Sequence, residues 1–341
     1  MKLIRINALS AAFQGDIILV LLKEGNKLIL REYDVELASL KNLREFRGEK
    51  GFILYADNRG LLLSIDNRLV LVNERGAKNV LATQNPNNFF WHATFIDDEV
   101  FIQEYGEPPT AIYSSRNLVD WRKLITNVKI DKRSGHFHCI AYDPYRDQLI
   151  VTLGDGNPIR AAFSDDHGIT WKPLYRGPWQ FVPIEPLKDM IVFGMDSGIA
   201  RGGVGIYYLP GGRWKFVFVK WLSSRVRVAK MCDLKRLSNG IYVATLGTPQ
   251  AVVASKDLTA WHPLYIESFK ENFNYHMMLS EGERFLACST GKSLLVFEKN
   301  ELKSIISSSN PVMSSYRAYV DRLKGLGFTL KRMLITRNLS E

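Results

Sequence analysis

A chain of 341 residues, 46% hydrophobic and 11% aromatic, carries ample apolar side chain for a core and no stretch biased enough to stay disordered. Three scattered cysteines, Cys139, Cys232 and Cys288, exclude a disulfide framework and a CxxC zinc site, and point to a reducing, cytoplasmic location. The formal charge of +10 admits anionic partners such as acidic sugars or a membrane surface, but no basic stripe interleaved with aromatics marks a nucleic-acid site.

The N-terminus reads as strand rather than signal peptide or membrane span, because Asn7, Gln14, Gly15 and Asp16 interrupt its apolar run. Strand-like runs follow: IILVLL and KLILREY, then FILYAD, LLLSID, RLVLVN and NVLAT. Tryptophans then recur at Trp121, Trp171, Trp214 and Trp261, in steps of 50, 43 and 47 residues, the period of a four-stranded propeller blade. Each Trp follows a polar turn and opens a β-rich run. Two more runs precede each turn, such as HFHCIAY and QLIVTL before Trp171, or VRVAKMCDL and GIYVATL before Trp261. The rhythm continues in NYHMML, RFLACS, SLLVFE and LKSII.

The expected fold is therefore all-β, a β-propeller of about seven four-stranded blades over residues 1–310, with six blades as the alternative. An open ring would leave blade edges unpaired, so the strand around Leu3 to Ile6 is expected beside the last blade near 292–306. Pro311 ends that blade, and 311–341 reads as a basic, helical C-terminal tail. There Tyr319, Val320, Leu323, Leu326, Leu330, Met333 and Leu334 form an apolar stripe opposite Arg317, Arg322, Lys324, Lys331 and Arg332. Such a tail either docks on the propeller or lies on an anionic membrane.

The segment Ser164-Asp165-Asp166-His167-Gly168-Ile169-Thr170-Trp171 matches the Asp-box pattern Ser-x-Asp-x-Gly-x-Thr-Trp at every fixed position, and Ser114 to Trp121 and Ser255 to Trp261 are copies lacking the Gly and Thr. The chain thus resembles the sialidase-like, BNR-repeat propellers. Between residues 90 and 215 the order of Tyr142-Asp143-Pro144-Tyr145, Gly154-Asp155, the box, Trp179-Gln180 and Gly194-Met195-Asp196 is similar to bacterial members of that superfamily. The resemblance implies a peripheral hairpin remote from the central pocket, with Asp166 accepting backbone N–H groups and Trp171 packing between blades. It does not extend to a true sialidase: Ile4-Arg5-Ile6-Asn7 keeps only Arg-Ile of the first arginine motif.

In a propeller the first strand of each blade lines the channel, so polar residues recurring there converge. From His92 the steps are 46 residues to His138, 42 to Gln180, 47 to Arg227 and 49 to His276. His92, His138 and His276 are the candidate ligands of a divalent metal, or else individually hydrogen-bonded strand residues. Glu104, Asp155 and Asp196 follow second strands, where carboxylates serve either acid–base chemistry on a glycan together with His138, or ordinary turn capping. Gln180, Arg227, Arg160 and Tyr105 are the candidate ligand contacts. The expected function is to bind or process a glycan or glycan precursor at the channel mouth, hydrolase-like or lyase-like if enzymatic. The alternative is a non-catalytic scaffold for proteins or a membrane. P-loop, GxGxxG, HExxH and GxSxG motifs are absent.

Overall fold

Short apolar runs separated by Gly, Asn and Asp turns form antiparallel strands throughout. The computed structural model describes residues 1–156, 158–196, 201–223, 226–270 and 272–315. After β1 (Lys2–Ile4), strands β2 (Ala8–Gln14), β3 (Ile17–Glu24), β4 (Lys27–Asp34) and β5 (Ser39–Arg47) make one sheet. Strands β6 (Gly51–Asp57), β7 (Gly60–Ile65), β8 (Arg68–Asn73) and β9 (Gly76–Ala82) make the next. The third holds β10 (Phe89–Ile96), β11 (Glu99–Tyr105), β12 (Ala111–Ser115) and β13 (Arg122–Thr126), followed by the short helix α1 (Asn127–Ile130). The fourth holds β14 (His136–Asp143), β15 (Gln148–Gly154), β16 (Ile159–Ser164) and β17 (Lys172–Arg176).

Then come β18 (Phe181–Pro186), β19 (Met190–Met195), β20 (Gly203–Tyr208) and β21 (Arg213–Trp221), and next β22 (Lys230–Arg236), β23 (Tyr242–Thr248), β24 (Gln250–Ser255) and β25 (Ala260–Ser268). These two sets are joined edge to edge by β29 (Met313–Ser315), which pairs with both β21 and β25 to give a nine-stranded sheet. The last sheet contains β26 (Met278–Glu281), β27 (Phe285–Ser289), β28 (Leu294–Glu298) and, as its fourth strand, β1. The protein is thus an all-β propeller with four-stranded blades: among the described residues, five four-stranded sheets and the nine-stranded one.

First strands touch in the order β2, β6, β10, β14, β18, β22, β26 and back to β2, so the ring is closed. Closure uses the N-terminal strand as expected, with Lys2, Leu3 and Ile4 opposite Val296, Leu295 and Leu294. Because β1 takes the fourth position, the run LKSII is not a strand. It lies in helix α2 (Leu302–Ser308), which buries Leu302 and Ile306. The chain also does not leave the propeller at Pro311, since β29 follows it. The amphipathic segment 316–341 lies outside the described residues.

The core lies between blades. Strands β23 and β24 are buried at every residue, whereas β5 at the outer rim is almost wholly exposed. A middle strand covered on both faces needs no polar alternation, which is why IILVLL and its equivalents read as continuous apolar runs. One inter-blade cluster stacks Phe181 on Trp214 at 5.9 Å, with Tyr175 at 4.8 Å from that indole. Another packs Ile18, Val20 and Leu22 against Leu294 and Val296 across the closing seam.

The three polar turns before Trp121, Trp171 and Trp261 share one hydrogen-bond scheme. Asp166 Oδ1 accepts from the Ile169 and Thr170 amides at 3.1 and 2.8 Å, and Trp171 Nε1 donates to the Gly168 carbonyl at 3.1 Å. Asp257 and Asn117 accept from two following amides in the same way, and Trp261 and Trp121 each donate at 3.2 Å to Leu258 and Leu118. The positive φ taken by Gly168 (+88°) is adopted by Leu118 (+62°) and Leu258 (+65°), whose buried side chains offset the strain. Ser115 rather than Ser114 supplies the hydroxyl of the first turn, bonding Asn117.

Candidate functional site

In each blade the start of the first strand and the end of the second lie at the same end, because the two run antiparallel. His136 and His138 open β14, and Asp155 follows the end of β15 in a left-handed conformation (φ +49°). Gln180 precedes β18, Asp196 follows β19, and the Asp196 amide donates to the Gln180 carbonyl at 3.0 Å. Lys230 opens β22. The side chains of His138, Asp155, Gln180, Asp196 and Lys230, with Tyr105 at the end of β11, surround a cavity of about 170 Å³ at the mouth of the channel. Its wall is completed by Trp91, Val182, Phe273 and Tyr275.

A structural device aims the central residue. The register of β2, β6, β10, β14, β18 and β22 shifts at the same place against the second strand, leaving Leu9, Leu54, Trp91, His138, Val182 with Pro183, and Cys232 as the extra residues of successive bulges. Bulges re-aim side chains at such places. His138 is the one polar residue in that series, set in an apolar surround that includes Trp91 and Val182.

The polar groups are tied to one another. Gln180 Nε2 donates to Asp155 Oδ1 at 2.9 Å. Burial pushes the Asp155 carboxyl up, but the Gln180 amide, His138, His136 and Arg160 outweigh it and hold it below the usual carboxylate range. Lys230 Nζ stands 3.1 Å from Asp196 Oδ1, an ion pair that is not aligned as a hydrogen bond, so this buried oxygen has no hydrogen-bond partner among the described residues. Burial, then the neighbouring His138, lowers His136 to about 4, and burial likewise lowers His138. The Tyr105 and Tyr275 hydroxyls are 3.3 Å apart, and burial raises the Tyr105 phenol so that it stays protonated. Trp91 meets Tyr105 edge-on at 4.9 Å, and Phe273 meets Tyr275 at 5.0 Å.

Of the residues singled out from the sequence, His138, Asp155, Asp196, Gln180 and Tyr105 come together here. Others do not. Glu104 projects from the opposite face of β11 into its blade, where its carboxylate accepts from Asn88 Nδ2 at 2.7 Å and the Ala111 amide at 3.2 Å. Arg227 is exposed ahead of β22, and Lys230 is the cation that reaches the cavity. Arg160 lies on β16, donates to the Gly177 carbonyl at 3.2 Å, and its charge helps to lower both Asp155 and His138. The trio His92, His138 and His276 does not form a cluster. The bulge turns Trp91 to the channel and His92 aside, while His276 is held by the Leu9 carbonyl at 3.1 Å and stacks on Phe52 at 4.9 Å. His136, two residues from His138, is its actual neighbour, with the two Nε2 atoms 3.1 Å apart. Trp91, Phe273 and Tyr275 carried no sequence signal beyond their place at the start of a blade.

No family model and no curated protein matches the chain. Solved structures do. YCF48 from Cyanidioschyzon merolae is 12% identical, with a TM-score of 0.59 over 88% of this chain and 97% of that one. A streptogramin B lyase is 12% identical, with a TM-score of 0.58 over 86% and 93%. An oligogalacturonate lyase in complex with manganese is 11% identical, with a TM-score of 0.54 over 89% and 99%. At such identities the likeness is to the fold, and the chain belongs with the β-propellers.

Proposed function

We propose that the cavity at the channel mouth binds, and in an enzymatic version processes, a glycan or glycan precursor. The observation that carries this reading is the convergence of Asp155, Gln180, Asp196 and Lys230, from three successive blades, beside the aromatic faces of Trp91, Phe273 and Tyr275. Carboxylates accept, the ammonium donates and the amide does both, which suits neighbouring hydroxyls, while the rings suit the apolar face of a sugar. The oligogalacturonate lyase among the fold neighbours lends the carbohydrate reading loose support. The Asp166 and Asp257 turns support a place among Asp-box propellers, and counting β18–β21 and β22–β25 as separate blades supports seven. Three buried, unpaired thiols fit a cytoplasmic setting.

A glycan panel titrated against the protein by calorimetry tests the proposal. One or more sugars should bind, and Asp155→Asn and Lys230→Met should each weaken that binding at least tenfold without lowering the melting temperature. A silent panel, or binding unchanged in both variants, overturns it. The scaffold reading is favoured by one feature only: β29 ends at Ser315 paired with the outer strands of two blades, and the sequence that follows is basic. Salt-sensitive sedimentation with anionic vesicles, lost on replacing the Arg and Lys residues beyond Ser315 by Ala, would favour it.

A further inference from the structure

The two histidines that open β14 face one another in a way that neutral imidazoles do not hold unaided. Nδ1 of His136 lies 3.0 Å from the Gly106 carbonyl, and Nδ1 of His138 lies 2.7 Å from the Phe181 carbonyl. A carbonyl oxygen only accepts, so each Nδ1 carries the proton and each Nε2 presents a bare lone pair. Those lone-pair nitrogens are 3.1 Å apart. Shifting a ring proton to either Nε2 merely transfers the clash to a carbonyl. A positive centre shared by both nitrogens removes it.

We propose that His136 and His138, joined by Asp155, bind a divalent transition-metal ion of the zinc class at the edge of the cavity. Two imidazole nitrogens ligating one ion at about 2.0–2.1 Å stand roughly 3.0–3.4 Å apart, the separation seen here. Ligating histidines commonly donate their other ring N–H to a carbonyl, which fixes the tautomer and orients the ring; both do so. The carboxylate is prepared in the same manner. Gln180 holds Asp155 Oδ1, leaving Oδ2 free at 3.8 Å from His136 Nε2.

Among the described residues no three His, Cys, Asp or Glu side chains already surround a metal-sized point. Asp155 is exposed, however, and a side-chain displacement on the order of 1 Å would bring Oδ2 to ligand distance. Two imidazoles and one carboxylate leave coordination positions open toward the cavity, as in sites that polarise a substrate or a water. The inference does not depend on the ligand being a sugar.

The test uses the whole protein, stripped with a chelator and titrated with Zn²⁺ by calorimetry, with Co²⁺ absorbance as a second readout of nitrogen ligation. One equivalent should bind. Asp155→Asn, an exposed isosteric change that keeps the fold, and His138→Ala should each weaken binding at least tenfold. Gln180→Ala, acting only through Asp155, should weaken it by about 10–100-fold. The proposal is overturned if the folded protein takes up no Zn²⁺ or Co²⁺. It is equally overturned if uptake is unchanged in Asp155→Asn and His138→Ala, or if imidazole ¹⁵N spectra show the pair sharing a proton and Zn²⁺ leaves them unaltered.

Discussion

The imidazole of His138 occupies the space that a side chain at Gly154 would fill: a β-carbon built there would stand 2.0 Å from Nε2. The Gly-Asp dipeptide at the end of β15 is therefore more than a turn, because its glycine seats the ring and its aspartate faces it. Gly154 does not need a left-handed backbone, so it is the His138 ring, which supplies the nearest atoms, that opposes a larger residue. Gly154→Ala should cost about 1–3 kcal/mol through overpacking and abolish binding at the cavity. Adding His138→Ala should restore most of the stability and none of the binding. Thermal denaturation of the single and double variants checks this, and an unchanged melting temperature in Gly154→Ala would refute the packing.

The indoles of the repeated turns differ in burial, and their truncation should differ accordingly. Trp261 is fully buried, whereas Trp171 and Trp121 are half-buried. Trp261→Ala should cost about 3–5 kcal/mol and Trp171→Ala clearly less. Urea unfolding midpoints rank the two, and the opposite order would show that the blade edges pack differently.

Glu185, on β18 and remote from the cavity residues in its strand, is raised to about 7, chiefly by burial, with Asp233 and Glu281 adding to the effect against Lys235 and the Arg236 amide. A raised carboxyl binds its proton more tightly in the folded chain, so its contribution is complete below about pH 4.5 and is lost as pH rises through about 7. Gln is neutral at every pH and retains an oxygen to accept the Arg236 amide at 2.8 Å. Glu185→Gln should therefore stabilise the protein at pH 8.5 by on the order of 2 kcal/mol and give no gain at pH 4. Parallel melts at the two pH values provide the comparison.

Glu104 should matter to the fold and not to the ligand. Its replacement by Ala leaves the buried Asn88 amide and the Ala111 N–H without their acceptor, a loss of about 1–3 kcal/mol. The folded Glu104→Ala variant should bind ligand like the parent at 15 °C. A selective loss of affinity with an unchanged melting temperature would place Glu104 in the site after all.

The period of the Trp residues made the blades legible, since each turn must present an indole to the neighbouring sheet at the same point of the repeat. The need to hide two sheet edges made the pairing of β1 legible as well. Asp155, Asp196 and Gln180 followed from blade position, because backbone direction alone puts first-strand starts and second-strand ends together. What alternation could not supply was the face. A bulge adds one residue and reverses the parity beyond it, so Trp91 points to the channel and His92 away. At β11 the same parity sends Tyr105 into the cavity and Glu104 into the blade. Leu118 and Leu258 stand where a glycine was expected because burial compensates a strained backbone, and that is a tertiary effect with no local signature.

Since Lys2 to Ile4 find their partners only at Leu294 to Val296, this strand stays unsatisfied until almost the whole ring has been made. Until those residues are synthesised, the growing chain exposes the apolar flanks of Ile18, Val20 and Leu22 along an unfinished seam, a long-lived adhesive edge. Nascent chains arrested before residue 294 should accordingly stay protease-sensitive around Lys2 to Ile4 however many blades have already formed.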